Sequence, residues 1–90
     1  MPRPDIICKD GATISVQASP RHYCSPKTWY GPHTAVEVGY LSVMPPASML
    51  EYIETGSTDP LKAVYGWVPI EVVQEFIDAH GGVASGEWPI

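Results

Sequence analysis

The chain has 90 residues, a formal net charge of −5, ten prolines and eight glycines, which limits it to short elements around one modest core. No run of about 18 apolar residues is present to cross a bilayer, and residues 1–5 lack the charged and apolar segments of a signal peptide. Residues 1–27 contain four basic and two acidic side chains, whereas residues 28–90 contain one basic and eight acidic. This acidic surplus disfavours direct binding to nucleic acid or to an anionic membrane. We predict one compact domain over residues 1–90, located in the cytoplasm.

The chain begins with a predicted β-hairpin. Residues 6–9 and 12–18 have strand composition, and Asp10-Gly11 between them favours a two-residue type I′ turn in which both residues have positive φ. Such a loop pairs Ile7 with Ile14. Alternation predicts one buried face and one solvent-facing face. The buried face is Ala12, Ile14, Val16 and Ala18, and the solvent-facing one is Thr13, Ser15, Gln17 and Ser19.

Residues 19–33 are predicted to form a long loop, because prolines and a glycine interrupt any regular pattern. A loop of more than about 12 residues is unusual in a compact domain unless it is functional or packs on itself. A third strand is expected over residues 34–42, with Val36, Val38 and Tyr40 inward and Glu37 in solvent.

Two helices are predicted in the second half of the chain. Pro45-Pro46 opens a short helix from Ala47 to Glu54, with an apolar stripe of Met49, Leu50 and Ile53. A strand over residues 64–68 then leads through Pro69 into the second helix, which ends at His80-Gly81-Gly82. The apolar face of this second helix is Ile70, Val73, Phe76 and Ile77, widened by Val72.

The order of these elements predicts an α+β fold. We expect a small, mainly antiparallel sheet of about four strands, with the C-terminal helix packed on one face and a second short helix. The tail from residue 83 to residue 90 has no periodicity and is expected to lie flat on the body or in a partner.

An acidic strip is predicted on the exposed side of the C-terminal helix. Glu71, Glu75 and Asp78 are spaced at i, i+4 and i+7, and the helix contains no Lys or Arg to pair with them. A charge run of this kind is most often a solvated face. The functional alternative is a surface that is presented to Lys and Arg of a partner.

The aromatic residues divide into core and surface groups. Trp67 and Tyr40 are assigned to the core, whereas Trp29 and Tyr30 lie in the proline-bounded loop and Trp88 lies in the tail. Exposed Trp and Tyr are the residue types that contribute most to interfaces. Loop packing and partner contact remain equally consistent with their positions.

Two cysteines and two histidines are candidates for metal binding or catalysis. Cys8, His22, Cys24 and His33 lack the close spacings of structural zinc sites. Thiol catalysis would need a positively biased pocket that the flanking residues do not supply. Structural roles are therefore favoured for all four, and a disulfide is not expected in a reducing cytoplasm.

Three segments, Tyr23-Cys24-Ser25-Pro26, Val36-Glu37-Val38-Gly39 and residues 64–82, resemble the small uncharacterised proteins of phages and prophages. The resemblance extends from about Cys8 to Gly82. It implies a non-enzymatic inhibitor of host machinery, of the anti-CRISPR or another counter-defence type, acting in the bacterial cytoplasm. It assigns no roles to individual residues.

We therefore expect an acidic binding protein without a cofactor, which occupies a basic, nucleic-acid-binding surface of a host complex such as a CRISPR-Cas effector. A homodimer is left open. The first alternative is a protein that binds and sequesters a small molecule such as a nucleotide signal, in a pocket lined by Trp29, Tyr30 and Trp67. The second is a zinc-binding or enzymatic module that uses the cysteines and histidines. The predicted partner-binding residues are Glu71, Glu75, Asp78, Trp29, Tyr30 and Trp88.

Overall fold

The computed structural model describes residues 3–88, and these confirm the predicted α+β fold. Its elements are β1 Ile6–Cys8, β2 Thr13–Gln17, β3 Ala35–Gly39, α1 Ala47–Leu50, β4 Tyr65–Pro69, α2 Ile70–Ala79 and β5 Val83–Ser85. The five strands form one sheet in the order β4-β3-β2-β1-β5, and all neighbours are antiparallel. The fifth strand comes from the tail, which pairs with β1 through Ile7 and Ser85. The last two residues of that tail lie outside the described range.

The helix α2 packs its apolar stripe against one face of the sheet, as predicted. Val73, Phe76 and Ile77 are buried, and Ile70 and Val72 pack at the margin of the same core. The glycine stop is also confirmed, because Gly81 and Gly82 have φ of 89° and 91° and the Gly82 N–H donates to the Ile77 carbonyl at 2.9 Å. The core-facing strand residues include Ile6, Cys8, Ile14, Val16, Val36, Val38, Tyr65 and Val68.

The first hairpin forms with a different turn from the predicted one. Ile6 pairs with Ile14 and Ile7 with Thr13, so the predicted pairing of Ile7 with Ile14 is wrong. Only Gly11 has positive φ, at 95°, and its N–H donates to the Cys8 carbonyl. The connection is a three-residue loop in which glycine alone takes the left-handed conformation. The buried face of β2 is unaffected by this change.

The face of β2 that was predicted to be solvent-facing is largely buried. Ser15, Gln17 and Ser19 are all buried, and the N-terminal segment contacts this face at Gln17. The Gln17 side chain accepts from the Arg3 N–H and donates to the Arg3 carbonyl, both at 2.8 Å. It also donates to the Ser15 hydroxyl at 3.1 Å. These polar side chains are buried at little cost because their hydrogen bonds are made within the protein.

Two aromatic residues assigned to the core lie on the surface. In β4, a β-bulge leaves one extra residue between the pairs Val36–Val68 and Val38–Tyr65. Tyr65 and Val68 therefore both face the core, and Trp67 is 44% exposed with φ of 50°. Tyr40 is also wrongly placed by the alternation.

The strand β3 ends at Gly39, so the pattern that would bury Tyr40 does not continue. Tyr40 has φ of 50° and is 78% exposed. Val36 and Val38 are buried as predicted. Glu37, which was expected in solvent, is half-buried because the loop over residues 19–33 packs beside it.

The helix α1 is shorter than predicted. It ends at Leu50 and not at Glu54, because the following residues join the edge of β4. Ile53 forms a bridge with Tyr65, and the Glu54 N–H donates to the Val64 carbonyl at 3.0 Å. Within residues 3–88, neither helix is long and apolar enough to cross a membrane.

Candidate functional site

The predicted acidic strip lies on the outer side of α2. Glu71, Glu75 and Asp78 are exposed, because the opposite side of the helix is held against the sheet. Within the described residues, no Lys or Arg nitrogen lies within 4.0 Å of a carboxylate oxygen of the strip. The contacts of the strip are with neutral side chains. Ser48 donates to Glu75 at 3.4 Å and Gln74 donates to Asp78 at 2.9 Å.

The neighbouring helix α1 adds a fourth carboxylate to this face. Ser48 of α1 donates to Glu75, which places α1 beside the strip, and burial, followed by the carboxylates of Glu51 and Glu71, raises the pKa of Tyr52. Glu51 is exposed and follows α1 directly. We define the acidic face as Glu51, Glu71, Glu75 and Asp78. Among residues 3–88, no Lys or Arg nitrogen lies within 4.0 Å of these four carboxylates, so they give this surface a concentrated negative potential.

A second surface is formed by the long loop and the bulge in β4. The rings of Tyr23 and Trp67 are stacked, with centroids 5.0 Å apart and planes inclined by 21°. The Lys27 ammonium lies 5.6 Å from the Tyr23 centroid and 5.5 Å from the Trp67 centroid. The two rings stay 43% and 44% exposed. This aromatic–lysine cluster, Tyr23, Lys27 and Trp67, is held together by contacts within the chain.

Backbone contacts fix the cluster. The Trp67 N–H donates to the Tyr23 carbonyl at 3.0 Å, and the Tyr23 N–H donates to Glu37 at 3.2 Å. Gly66 gives the space for this approach, because a Cβ there would lie 3.3 Å from the Tyr23 Cβ and 2.8 Å from Glu54. The stack could not be predicted from the sequence, because it depends on a bulge in β4 and on a contact between residues far apart in the chain.

The three aromatic residues predicted to contact a partner are not equivalent. Trp29 is 54% exposed and Tyr30 is 86% exposed, both in the loop. Trp88 is half-buried and packs against the hydrophobic core. Trp88 is therefore a structural residue of the described chain as well as a predicted contact. The structure does not bring Trp88 into one site with the acidic strip and the loop.

Two cavities lie on the sheet face opposite α2. One of about 340 Å³ is lined by Arg3, Pro4, Gln17, Ala18, Ser19, His22 and Trp29. The other, of about 330 Å³, is lined by Ser15, Gln17, His22, Glu37, Val38, Gly39, Tyr40 and Val64. Neither cavity contains Tyr30 or Trp67, so neither matches the pocket expected for the small-molecule alternative.

The four metal-ligand candidates are not gathered into one site. In the part of the chain that the structure describes, no group of three or more Cys, His, Asp or Glu side chains is placed to hold a metal ion. Cys8 and Cys24 are free and buried. Burial, followed by the nearby Asp10 carboxylate, raises the pKa of the Cys8 thiol, which opposes formation of a thiolate nucleophile.

His22 and His33 have different surroundings. The Ser19 hydroxyl lies 2.6 Å from His22 Nδ1, and it also accepts from the Arg21 N–H at 3.1 Å. Ser19 is buried and lines the cavity of about 340 Å³ together with His22. Glu37 Oε2 lies 3.9 Å from His22 Nε2, which is too long for the hydrogen bond that would orient the imidazole in a catalytic triad. His33 is buried and donates from Nε2 to the Thr28 carbonyl at 3.0 Å.

Comparison of the chain with protein-family models, with curated proteins and with solved structures finds no match.

Proposed function

We propose that this chain is a non-enzymatic binding protein whose acidic face docks on a basic surface of a partner protein. The observation that carries the proposal is the arrangement of four exposed carboxylates, three on α2 and one directly after α1, without a Lys or Arg partner among the described residues. Like charges placed at i, i+4 on one helix cost a few tenths of a kcal/mol per pair. A basic partner removes that cost and gains from the opposite potential.

The partner class follows from the sign and density of the charge. A surface rich in Lys and Arg that normally holds nucleic acid is complementary to the acidic face. In keeping with the resemblance to phage proteins, we propose a host defence complex, such as a CRISPR-Cas effector, in the bacterial cytoplasm. The chain would inhibit the complex by occupying the surface that its nucleic acid needs.

The stability of the contact would come from exposed apolar residues outside the acidic face. Charge complementarity mainly accelerates association, whereas buried aromatic and aliphatic side chains slow dissociation. Trp29 and Tyr30 are the exposed candidates for this second role, and they lie on the loop and not on α2. We therefore assign the acidic face to steering and the loop aromatics to a separate contribution.

The experiment measures competition with nucleic acid. A purified CRISPR-Cas effector is incubated with the chain, and binding of labelled target DNA is followed as the concentration of the chain increases. The wild type is expected to displace DNA, and the triple variant Glu71→Gln, Glu75→Gln, Asp78→Gln is expected to displace it poorly. Equal competition by both proteins would contradict the role of the strip, and no competition by the wild type would contradict the partner class.

A charge-matched control separates the strip from net charge. The variant Asp5→Asn, Asp59→Asn, Glu87→Gln removes the same number of carboxylates at exposed positions away from α2. Asparagine at position 59 keeps the side-chain oxygen that accepts from the Leu61 N–H at 3.0 Å. This control is expected to compete nearly as well as the wild type, because the docking surface is intact.

A further inference from the structure

The cavity of about 330 Å³ lies over β2 and β3, on the face of the sheet opposite the acidic face. Its size suits one small ligand or one long side chain, since ligand pockets begin at about 300 Å³. Ser15 and Glu37 belong to the polar side of the two strands, and His22 comes from the loop. Tyr40 and Val64 line it from the exposed side.

Glu37 has unused hydrogen-bonding capacity in this cavity. Its Oε1 accepts from the Tyr23 N–H at 3.2 Å. Its Oε2 lies 3.9 Å from His22 Nε2, which is too long for a hydrogen bond. Among residues 3–88, no Lys or Arg nitrogen lies within 4.0 Å of either oxygen. A half-buried carboxylate with a free acceptor atom favours a ligand that brings both a positive charge and N–H donors.

Tyr40 gives a second, independent indication. Its φ of 50° is a conformation that bulky residues rarely adopt. The glycine next to it, Gly39, is the preceding residue and does not take this conformation in its place. No burial compensates this strain, because the side chain is 78% exposed. Strained residues of this kind cluster at binding sites. Tyr40 and Glu37 line the same cavity, so a cation bound there can contact both groups.

We propose that this cavity binds a primary ammonium or guanidinium group, which donates to Glu37 Oε2 and packs against the Tyr40 ring. The group belongs either to a free small amine or to a Lys or Arg side chain of a partner. The site is separate from α2, so it does not depend on the function proposed for the acidic face. Anionic ligands are disfavoured by Glu37.

The test uses butylammonium and butylguanidinium as probes, with butanol as the uncharged analogue. Each probe is titrated into the ¹⁵N-labelled full chain, and the amide signals of Glu37, Gly39 and Tyr40 are followed by NMR. The two cations are expected to shift these signals and butanol is not. Absence of shifts with both cations, or equal shifts with butanol, would overturn the proposal. Agmatine, a free small amine, is then compared with a blocked Gly-Arg-Gly peptide, which presents an Arg side chain. Tighter binding of agmatine identifies a free amine as the ligand, and tighter binding of the peptide identifies a side chain of a partner.

Two variants test the assigned residues. Glu37→Gln keeps an oxygen for the Tyr23 N–H and removes the charge, so cation affinity is expected to fall about tenfold or more. Tyr40→Asn suits positive φ and removes the ring, so it is expected to weaken binding about two- to fivefold without lowering the melting temperature. Glu87→Gln, at an exposed position outside the cavity, is the matched control. Unchanged affinity in Glu37→Gln would overturn the site.

Discussion

Replacement of Phe76 by alanine tests the packing of α2 on the sheet. Phe76 lies in the core with 1% of its surface exposed, and the centroid of its ring lies 4.6 Å from the centroid of the His80 ring. Loss of a buried phenylalanine costs about 3 to 5 kcal/mol, because transfer free energy is lost and a cavity remains. A domain of this size is stable by about 5 to 15 kcal/mol in total. The variant is therefore expected to lose a large part of its stability.

The assay is thermal and urea unfolding followed by circular dichroism. At about 4 to 8 °C per kcal/mol, the melting temperature is expected to fall by at least about 12 °C. Val72→Ala is the matched control on the same helix, because Val72 is only half-buried, and it is expected to cost about 1 kcal/mol or less. If Phe76→Ala melted at the wild-type temperature, the assigned orientation of α2 would be refuted.

Three further predictions concern individual contacts. The pKa of Asp10 lies below its ordinary value of 3.8 because its carboxylate accepts from the Ala12 N–H and then from His80. Asp10→Asn is therefore expected to lower the melting temperature at pH 7. The difference in melting temperature from the wild type should vanish as the pH falls through the folded-state pKa of Asp10, below 3.8. A difference that persisted in acid would contradict the charge effect. Gly86→Ala is expected to cost about 1 to 3 kcal/mol through strained backbone alone, and more through the Cβ contact of 2.9 Å with the Asp5 carbonyl. Gly56→Ala, with similar φ and open space, should cost less in the same unfolding assay, and equal losses would exclude the contact. Cys8→Ser is expected to be less stable than Cys24→Ser, because only the Cys24 thiol donates to carbonyls, those of Ser19 and Pro26; the reverse order of urea midpoints would contradict this assignment.

The best-patterned segments of the sequence were predicted correctly because local rules decide them. The helix α2 has a continuous apolar stripe, a proline at its start and glycines at its end, and all three features act within a few residues. The buried faces of β2 and β3 follow from alternation over five residues each. The exposure of Glu71, Glu75 and Asp78 follows from the same helical periodicity.

The errors occurred where distant residues determine the structure. The bulge that exposes Trp67 adds a residue to β4, and alternation cannot predict such an addition. The strand β5 forms only because β1 offers an unpaired edge to the tail. Gln17 is buried because Arg3, 14 residues away, supplies its hydrogen bonds.

The same distinction applies to the candidate sites. The acidic strip lies on one helix and was predicted from spacing alone. The aromatic–lysine cluster and the Glu37 cavity each combine the loop with strand residues, so no single segment indicates them. The alternation misplaced Tyr40 and Trp67 because both have φ of 50°.

The association rate of the chain with the purified CRISPR-Cas effector tests the central claim most directly. The wild type, the triple variant Glu71→Gln, Glu75→Gln, Asp78→Gln and the charge-matched control are compared at low and high salt. The acidic face predicts a slower association and a flatter salt dependence for the triple variant alone, because electrostatic steering acts mainly on the association rate. Equal rates and equal salt slopes for the wild type and the triple variant would mean that the face is only a solvated surface.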